Sequence, residues 1–533
     1  MAEPKRQTAD DLDERLRDPG FTPGIRALPG LVARIAGNNP ALAKAATKGV
    51  GRIDTPIADR LEPLLALLDA SGQKALLRAL SVRVGRGEDD ALCKLFAASL
   101  AADEEGVRLA AARAVGKLPG ERARQALRDA LAHARSDRER ESLSRALLLT
   151  GGTLDHEGSA PGLASKAMGK ALLIAERDAR RTEATHAIEV DVGVPERAPV
   201  FFSCRRGLEV VLREELVELL GAPAARATET PGRLALSWSG PLRSLTESRV
   251  ALRFGFSFEA ARATNASAAD AVTALLGSPA VLSLIGAITP GSVSFRLAWA
   301  EGGKKRSQTW QVARDIRVLA PSLINDPTDS TWQVDAHVDE RRVCVDLIPN
   351  VVDTRFGYRQ GDVPASSHPT IAAALARVAG VAHDDVVWDP FVGSGLELCE
   401  RARLGRYRKL YGTDVDERAL AAARANLDAL GAVDYQLSRE DARSANIEGL
   451  TCVVSNPPMG RRVLRGEDVA RVVGDAIRAA ARTLLPGGRI VLLSPHPMSS
   501  ERVALACGLS KTIDRKVDLG GFDAVLQRFE RAL

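Results

Sequence analysis

From residue 386 to the C-terminus, short and almost continuous apolar runs alternate with longer stretches whose apolar positions recur with a helical period. Val386-Val387-Trp388, residues 409–413, Tyr435-Gln436-Leu437, Cys452-Val453-Val454 and residues 489–493 are predicted as strands, with helices over 417–430 and 469–485 among the segments between them. Residues 512–517 and 524–529, on either side of Gly520-Gly521, predict a closing antiparallel pair. Apolar strands separated by helices belong to a sheet buried on both faces, so residues 363–533 are expected to form an α/β, Rossmann-like domain.

Upstream the pattern changes twice. Residues 199–362 predict an α+β order. It runs from a strand at Val200-Phe201-Phe202-Ser203-Cys204 through a helix from Gly207 to Leu220, a strand at Leu234-Ala235-Leu236 and a helix over 242–252. Alternating strands follow over 293–299, 333–338 and 342–347, the last two forming a hairpin around Asp339-Glu340. The first part is similar to a ferredoxin-like unit. Residues 55–152 are rich in Ala, Leu and Arg and predict all-α helical repeats: Ala79, Ala114 and Ala146 lie in like segments 35 and 32 residues apart. The run 107–118 resembles a HEAT-type repeat, a stack that would offer a surface to a protein partner. Residues 1–54 read as a polar segment broken by Pro19, Pro23, Pro29 and Pro40, and 153–198 as a linker with room for one basic helix around 167–181.

The predicted strand ends carry the candidate chemistry. Ser455-Asn456-Pro457-Pro458-Met459-Gly460 closes one strand. The Asn456 carboxamide oxygen and the Pro457 carbonyl are two acceptors that can take both protons of an exocyclic base amine and leave its lone pair out of plane. The prolines fix φ and remove competing donors. At the end of an earlier strand, Asp389-Pro390-Phe391-Val392-Gly393-Ser394-Gly395 joins an acid to a Gly-x-Gly turn that lets the backbone approach a bound cofactor. Asp414, 25 residues after Asp389, suits a ribose diol, and Asp441 could accept from an adenine amine. With Pro390, Phe391, Ser394, Val415, Ala442 and Asn456 these form the candidate cofactor set; Asn456, Pro457, Pro458 and Met459 form the candidate catalytic set.

This order of features resembles the class I S-adenosylmethionine-dependent methyltransferases, and specifically the THUMP-domain RNA methyltransferases that modify guanine N2. The resemblance spans roughly residues 200–533 and is carried by Phe356-Gly357-Tyr358-Arg359, Pro369-Thr370-Ile371-Ala372-Ala373-Ala374-Leu375, Asp389-Pro390 and Gly393-Ser394-Gly395. In that family the Gly-Tyr-Arg element joins the RNA-binding part to the catalytic part. The resemblance implies S-adenosylmethionine as cofactor, RNA (rRNA or tRNA) as partner, and a THUMP-like character for residues 199–362, whose terminal hairpin is similar to that of a THUMP module. Leu396 stands where the family usually has threonine, and Met459 where an aromatic usually stacks on the target base. Two other readings stay open: methylation of another planar amine, DNA adenine N6 or a protein glutamine, and a non-catalytic RNA-binding scaffold with a decayed methyltransferase fold.

Composition narrows the setting. At 533 residues the chain should divide into three or four domains, and 45% hydrophobic with 26% charged residues is a soluble, globular balance. Six cysteines form no Cys-x-x-Cys pair, against a zinc site or disulfide framework and for a reducing compartment. The N-terminus has no apolar h-region and no apolar run of about 18 residues occurs, so a cytoplasmic protein without membrane contact is expected. None of the seven histidines forms His-x-x-x-His, and no metal is expected. A net charge of +5 is mildly favourable for nucleic acid but decides little, so a phosphate-binding surface is expected from local clusters: Arg205-Arg206, Lys304-Lys305-Arg306, Arg341-Arg342 and Arg461-Arg462.

Overall fold

The computed structural model describes residues 9–18, 21–37, 39–151, 169, 173–174, 187–195, 197–300, 302, 305–364, 366–460 and 469–533. Most of the predicted basic helix over 167–181 and of the 153–198 linker, together with Lys304 and Arg461-Arg462, therefore lies outside the described residues. The chain divides into two compact units, 1–185 and 186–533.

Among its described residues the first unit is helical from Ala9 onward. Helices Leu28–Ile35 and Pro40–Arg52 bury Leu28, Leu31, Val32, Ile35, Ala46 and Val50 in the same core as Leu76, Leu80, Phe96, Val115 and Leu147 of the helices that follow. The expected separation of 1–54 from 55–152 is not what forms. Pro29 and Pro40 sit in the first turn of their helices, where a missing N–H costs nothing, and so start helices rather than break them. Helices Ala70–Leu80, Glu105–Val115 and Asp137–Leu149 carry the three repeated segments. Polar contacts in this unit recur at a like separation: Arg108 to Glu139 at 2.9 Å across 31 residues, and Arg122 of helix Glu121–Ala132 to Asp90 of helix Asp89–Ser99 at 3.0 Å across 32.

The second unit contains two sheets. The first is built from β1 (Ala198–Ser203), β2 (Thr228–Thr230), β3 (Arg233–Trp238), β4 (Arg253–Ala261), β5 (Val293–Trp299), β6 (Leu323–Asn325), β7 (Trp332–Val338) and β8 (Arg342–Pro349), in the order β2-β3-β1-β4-β8-β7-β5-β6. β7 and β8 form the expected antiparallel hairpin. The expected helix over 242–252 stops at Leu245. Beyond it the buried Glu215 carboxylate takes the Ser248 hydroxyl (2.6 Å) and the Arg249 and Val250 amides (3.0 Å each), satisfying donors that a longer helix would have used.

Residues 187–195, expected to be linker, are bound to this unit. Glu189 N donates to Ile288 O (2.9 Å), Arg243 N to Val190 O (2.8 Å), Leu242 N to Val192 O (3.0 Å) and Val194 N to Gly240 O (2.9 Å). The alternation Ile188, Val190, Val192, Val194 packs on the core, and this period-two signal was legible in the sequence. A chain beginning at residue 187 is accordingly expected to fold by itself. One beginning at 196 should be less stable by about 2–4 kcal/mol, four backbone hydrogen bonds at roughly 0.5–1 each, measurable by urea titration.

The second sheet comprises β9 (Val386–Asp389), β10 (Lys409–Asp414), β11 (Tyr435–Arg439), β12 (Cys452–Ser455), β13 (Arg489–Ser494), β14 (Leu509–Asp518) and β15 (Asp523–Arg531), ordered β11-β10-β9-β12-β13-β15-β14. The first five are parallel, and β14 and β15 add the expected antiparallel pair. Val387, Val454 and Val491 face one core while Val386, Trp388, Val453 and Ile490 face another. Burial on both faces is why these strands read as continuous apolar runs. Among the described residues no single helix is long and apolar enough to cross a membrane.

Candidate active site

Because the chain builds β9, β10 and β11 outward in one direction and then returns to place β12 and β13 on the other side of β9, the order reverses between β9 and β12. A doubly wound sheet opens its ligand crevice at this switch point, outside the carboxyl ends of the strands. Asp389 ends β9, Asp414 ends β10, Asp441 follows β11, and Asn456 follows β12. All four strand-end candidates therefore share one edge.

Asp389 is fully buried. Its Oδ1 accepts from the Ser455 hydroxyl (2.6 Å) and the Phe391 amide (3.1 Å), while Oδ2 is buried without a partner. Burial, then the nearby Glu397 charge, pushes this carboxyl well above the usual range. Asp414 turns Oδ2 to the Gly393 amide and Oδ1 to the Asp416 amide, both at 3.0 Å. That pins the Gly-x-Gly turn to the end of β10.

The two glycines differ in purpose. Gly393 has φ +49°, and a Cβ there would find only Phe391 O, at 3.8 Å, so the space beside it is open. Gly395, at φ +76°, would drive a Cβ to 3.0 Å from Ala423, so it permits close packing of helices Leu396–Leu404 and Glu417–Leu430. Leu396 is wholly buried. Asp441 is engaged by Arg443, whose Nε lies 2.9 Å from Oδ1, and this contact holds its carboxyl below the usual range. Val415 is exposed and Ala442 buried.

The Asn456 carboxamide donates from Nδ2 to Ser367 Oγ at 2.8 Å, and its Oδ1 is buried with no partner. Ser367 in turn donates to Glu397 Oε1. Pro457 is buried, and Pro458 and Met459 are partly so, Met459 packing on the core. His368 caps helix Pro369–Ala379, its Nδ1 2.9 Å from Thr370 Oγ1; burial first, then Arg205, Arg359 and Arg355, keep it below the usual histidine range.

Three supporting residues were not singled out from the sequence. Ser367 and Glu397 are two of them. The third is Asn426, whose Oδ1 accepts the Gln360 and Gly361 amides (2.7 Å each) and whose Nδ2 donates to Ser394 O (2.7 Å). It ties the Gly-rich turn to the segment after Gly357-Tyr358-Arg359. Tyr358 itself donates to Glu400 at 2.5 Å, and Glu400 also holds Arg249 at 2.6 and 2.7 Å, joining the two halves of this unit. An amide among the buried Ala422, Ala423 and Leu427 was the available signal for Asn426. Of the basic clusters, Arg205 is partly buried with Nε lacking a partner, and Arg342 is paired with Glu259 (3.3 Å).

An acid ending the first strand, a Gly-x-Gly turn and Asn-Pro-Pro across the switch point define a Rossmann-like methyltransferase domain. Residues 356–524 match the RMKL-like methyltransferase domain. The chain is 30% identical over 326 residues to the tRNA (guanine(6)-N2)-methyltransferase of Thermus thermophilus, covering 59% of this chain and 94% of that protein. It is 31% identical over 186 residues to the tRNA (guanine(10)-N2)-dimethyltransferase of Methanothermobacter thermautotrophicus, covering 34% of this chain and 52% of that one. The crystal structure of TrmN from Thermus thermophilus shares the fold at a TM-score of 0.53 and 24% identity, over 62% of this chain and 99% of that one. The chain belongs to the family of S-adenosylmethionine-dependent guanine-N2 RNA methyltransferases that carry the RMKL-like domain. The site suits that cofactor: it offers open space beside Gly393, a carboxylate at the end of β10, and a buried carboxyl oxygen, Asp389 Oδ2, that no protein group satisfies.

Proposed function

We propose that this chain methylates the N2 amine of a guanine in tRNA or rRNA and that Asn456 and Pro457 hold the acceptor. The observation that carries this reading is the Asn456 Oδ1, buried and unpartnered while the other end of the carboxamide is tied to Ser367. A buried acceptor left unmatched costs about 1–3 kcal/mol, so a donor in the bound state is its natural complement. An exocyclic amine gives one proton to Oδ1 and one to the Pro457 carbonyl, and its lone pair is then directed out of the base plane. The thioether of Met459, directly after the two prolines, would rest against the base face. S-adenosylmethionine supplies an electrophilic methyl group on a sulfonium. The residues around it contribute positioning and exclusion of water rather than acid–base chemistry.

In this reading Gly393 and Gly395 line the methionine end of the cofactor, with Pro390, Phe391 and Ser394 beside them. Asp414 and Val415 hold the ribose, Asp441 and Ala442 the adenine, and Asp389 the remaining polar edge. Asp414→Ala is expected to weaken cofactor binding by about 1.5–3 kcal/mol, the loss of charge-assisted hydrogen bonds, as read by calorimetry. An unchanged affinity would remove Asp414 from the site. Residues 199–362 are the RNA-presenting, ferredoxin- and THUMP-like part. The helical unit is a HEAT-like stack offering a face to a protein partner, supported by its polar contacts recurring across 31 and 32 residues.

A further inference from the structure

We infer that Ser367 and Glu397 are positioning residues that decide which end of the Asn456 carboxamide faces the acceptor amine. This rests on the assignment of Asn456 as the amine holder. Ser367 has one hydroxyl proton, and it is given to Glu397 Oε1. Its oxygen can then only accept, and the group 2.8 Å away is Asn456. Only the NH₂ end of a carboxamide donates, so the NH₂ is drawn to Ser367 and Oδ1 is turned the other way, where it stands buried and free. The two orientations of a carboxamide have nearly the same shape, and packing alone would not choose between them. The reversed one sets NH₂ against the acceptor's own NH₂, donor against donor, and cannot hold it.

Both partners come from elements other than the Asn-Pro-Pro loop. Ser367 precedes helix Pro369–Ala379, and Glu397 lies in the first turn of helix Leu396–Leu404, directly after Gly395. The ionised carboxylate is the form that accepts. The ionisable groups facing Glu397 are Asp389 at the end of β9 and, along its own helix, Cys399 and Glu400; Asp414 acts on Asp389, and Arg205, Arg355 and Arg359 act on His368 next to Ser367. Burial, reinforced by the Glu400 charge and opposed by the Ser367 hydroxyl, pushes Glu397 up to about 7. Protonated, it donates to Ser367, whose own proton is released to turn toward Asn456 Oδ1. The bias is therefore present above that value and lost as pH falls through it.

The test compares S367A, S367T, E397L and S367A/E397L with the wild-type full chain, using unmodified tRNA transcripts and saturating S-adenosylmethionine. S367A and E397L are each expected to lower kcat about tenfold, one lost hydrogen bond, with cofactor and RNA affinity moved less than about twofold. The double variant should fall no further, because the two residues act in series. S367T should recover most of the activity, and the wild-type rise in kcat through neutral pH should flatten in S367A. Wild-type kcat and pH profile in S367A, or losses that multiply in the double variant, would overturn the relay. N456A separates the two levels. If it still methylates, the assignment of Asn456 fails; if it is inactive while S367A equals wild type, only the positioning role fails.

Discussion

Asn456→Ala is expected to abolish methyl transfer while leaving S-adenosylmethionine affinity nearly unchanged. The substitution removes a buried, unpartnered carboxamide oxygen, so it takes a contact from the acceptor and none from another side chain except Ser367. Without that oxygen the amine is fixed only by the Pro457 carbonyl and is free to rotate and drift from the in-line position. A loss of alignment at the reacting atom costs on the order of 10²-fold or more in rate. Single-turnover methylation alongside calorimetric cofactor binding distinguishes this outcome from a folding defect, in which both would fall together.

Asp385→Ala is expected to have the largest effect on stability. This wholly buried carboxylate precedes β9, at the edge of the sheet opposite the site. Its oxygens accept from Arg401 Nη2 (2.6 Å), Arg489 Nη1 (2.9 Å) and Nη2 (2.7 Å), Thr451 Oγ1 (2.9 Å) and the Ala382 amide (2.9 Å). Arg401 is as deeply buried and would be left uncompensated, a change that costs about 3–5 kcal/mol. Denaturant unfolding of residues 187–533 would measure it. Burial pushes the Asp385 carboxyl up, but Arg489 and Arg401 outweigh burial and hold it below the usual range. The stabilisation is therefore present above the unfolded carboxylate value of about 4 and is lost as pH falls further toward the folded one.

Asp389, Gly393, Asp414 and Asn456 were legible in the sequence because each closes or follows an apolar run, and strand ends in a doubly wound sheet share one edge. Their supports were not, because each contact joins distant parts of the chain. Ser367 meets Asn456 across 89 residues, and Asn426 meets Gln360 across 66. No periodicity records such a pairing. Other misreadings were local. Pro29 and Pro40 were read as breaks although each sits in a first helical turn. The helix after Leu242 was read too long because the competing acceptor, Glu215, lies 33 residues from Ser248. Residues 187–195 were assigned to a linker although Ile188, Val190, Val192 and Val194 alternate.

Identification of the methylated atom tests the central claim most directly. RNA methylated by the purified protein, digested to nucleosides and separated by mass spectrometry against standards, should yield N2-methylguanosine, and the same digest from the Asn456→Ala protein should yield none. Methyl groups on a ring carbon or a ribose oxygen, or N2-methylguanosine formed equally well without the Asn456 carboxamide, would contradict it.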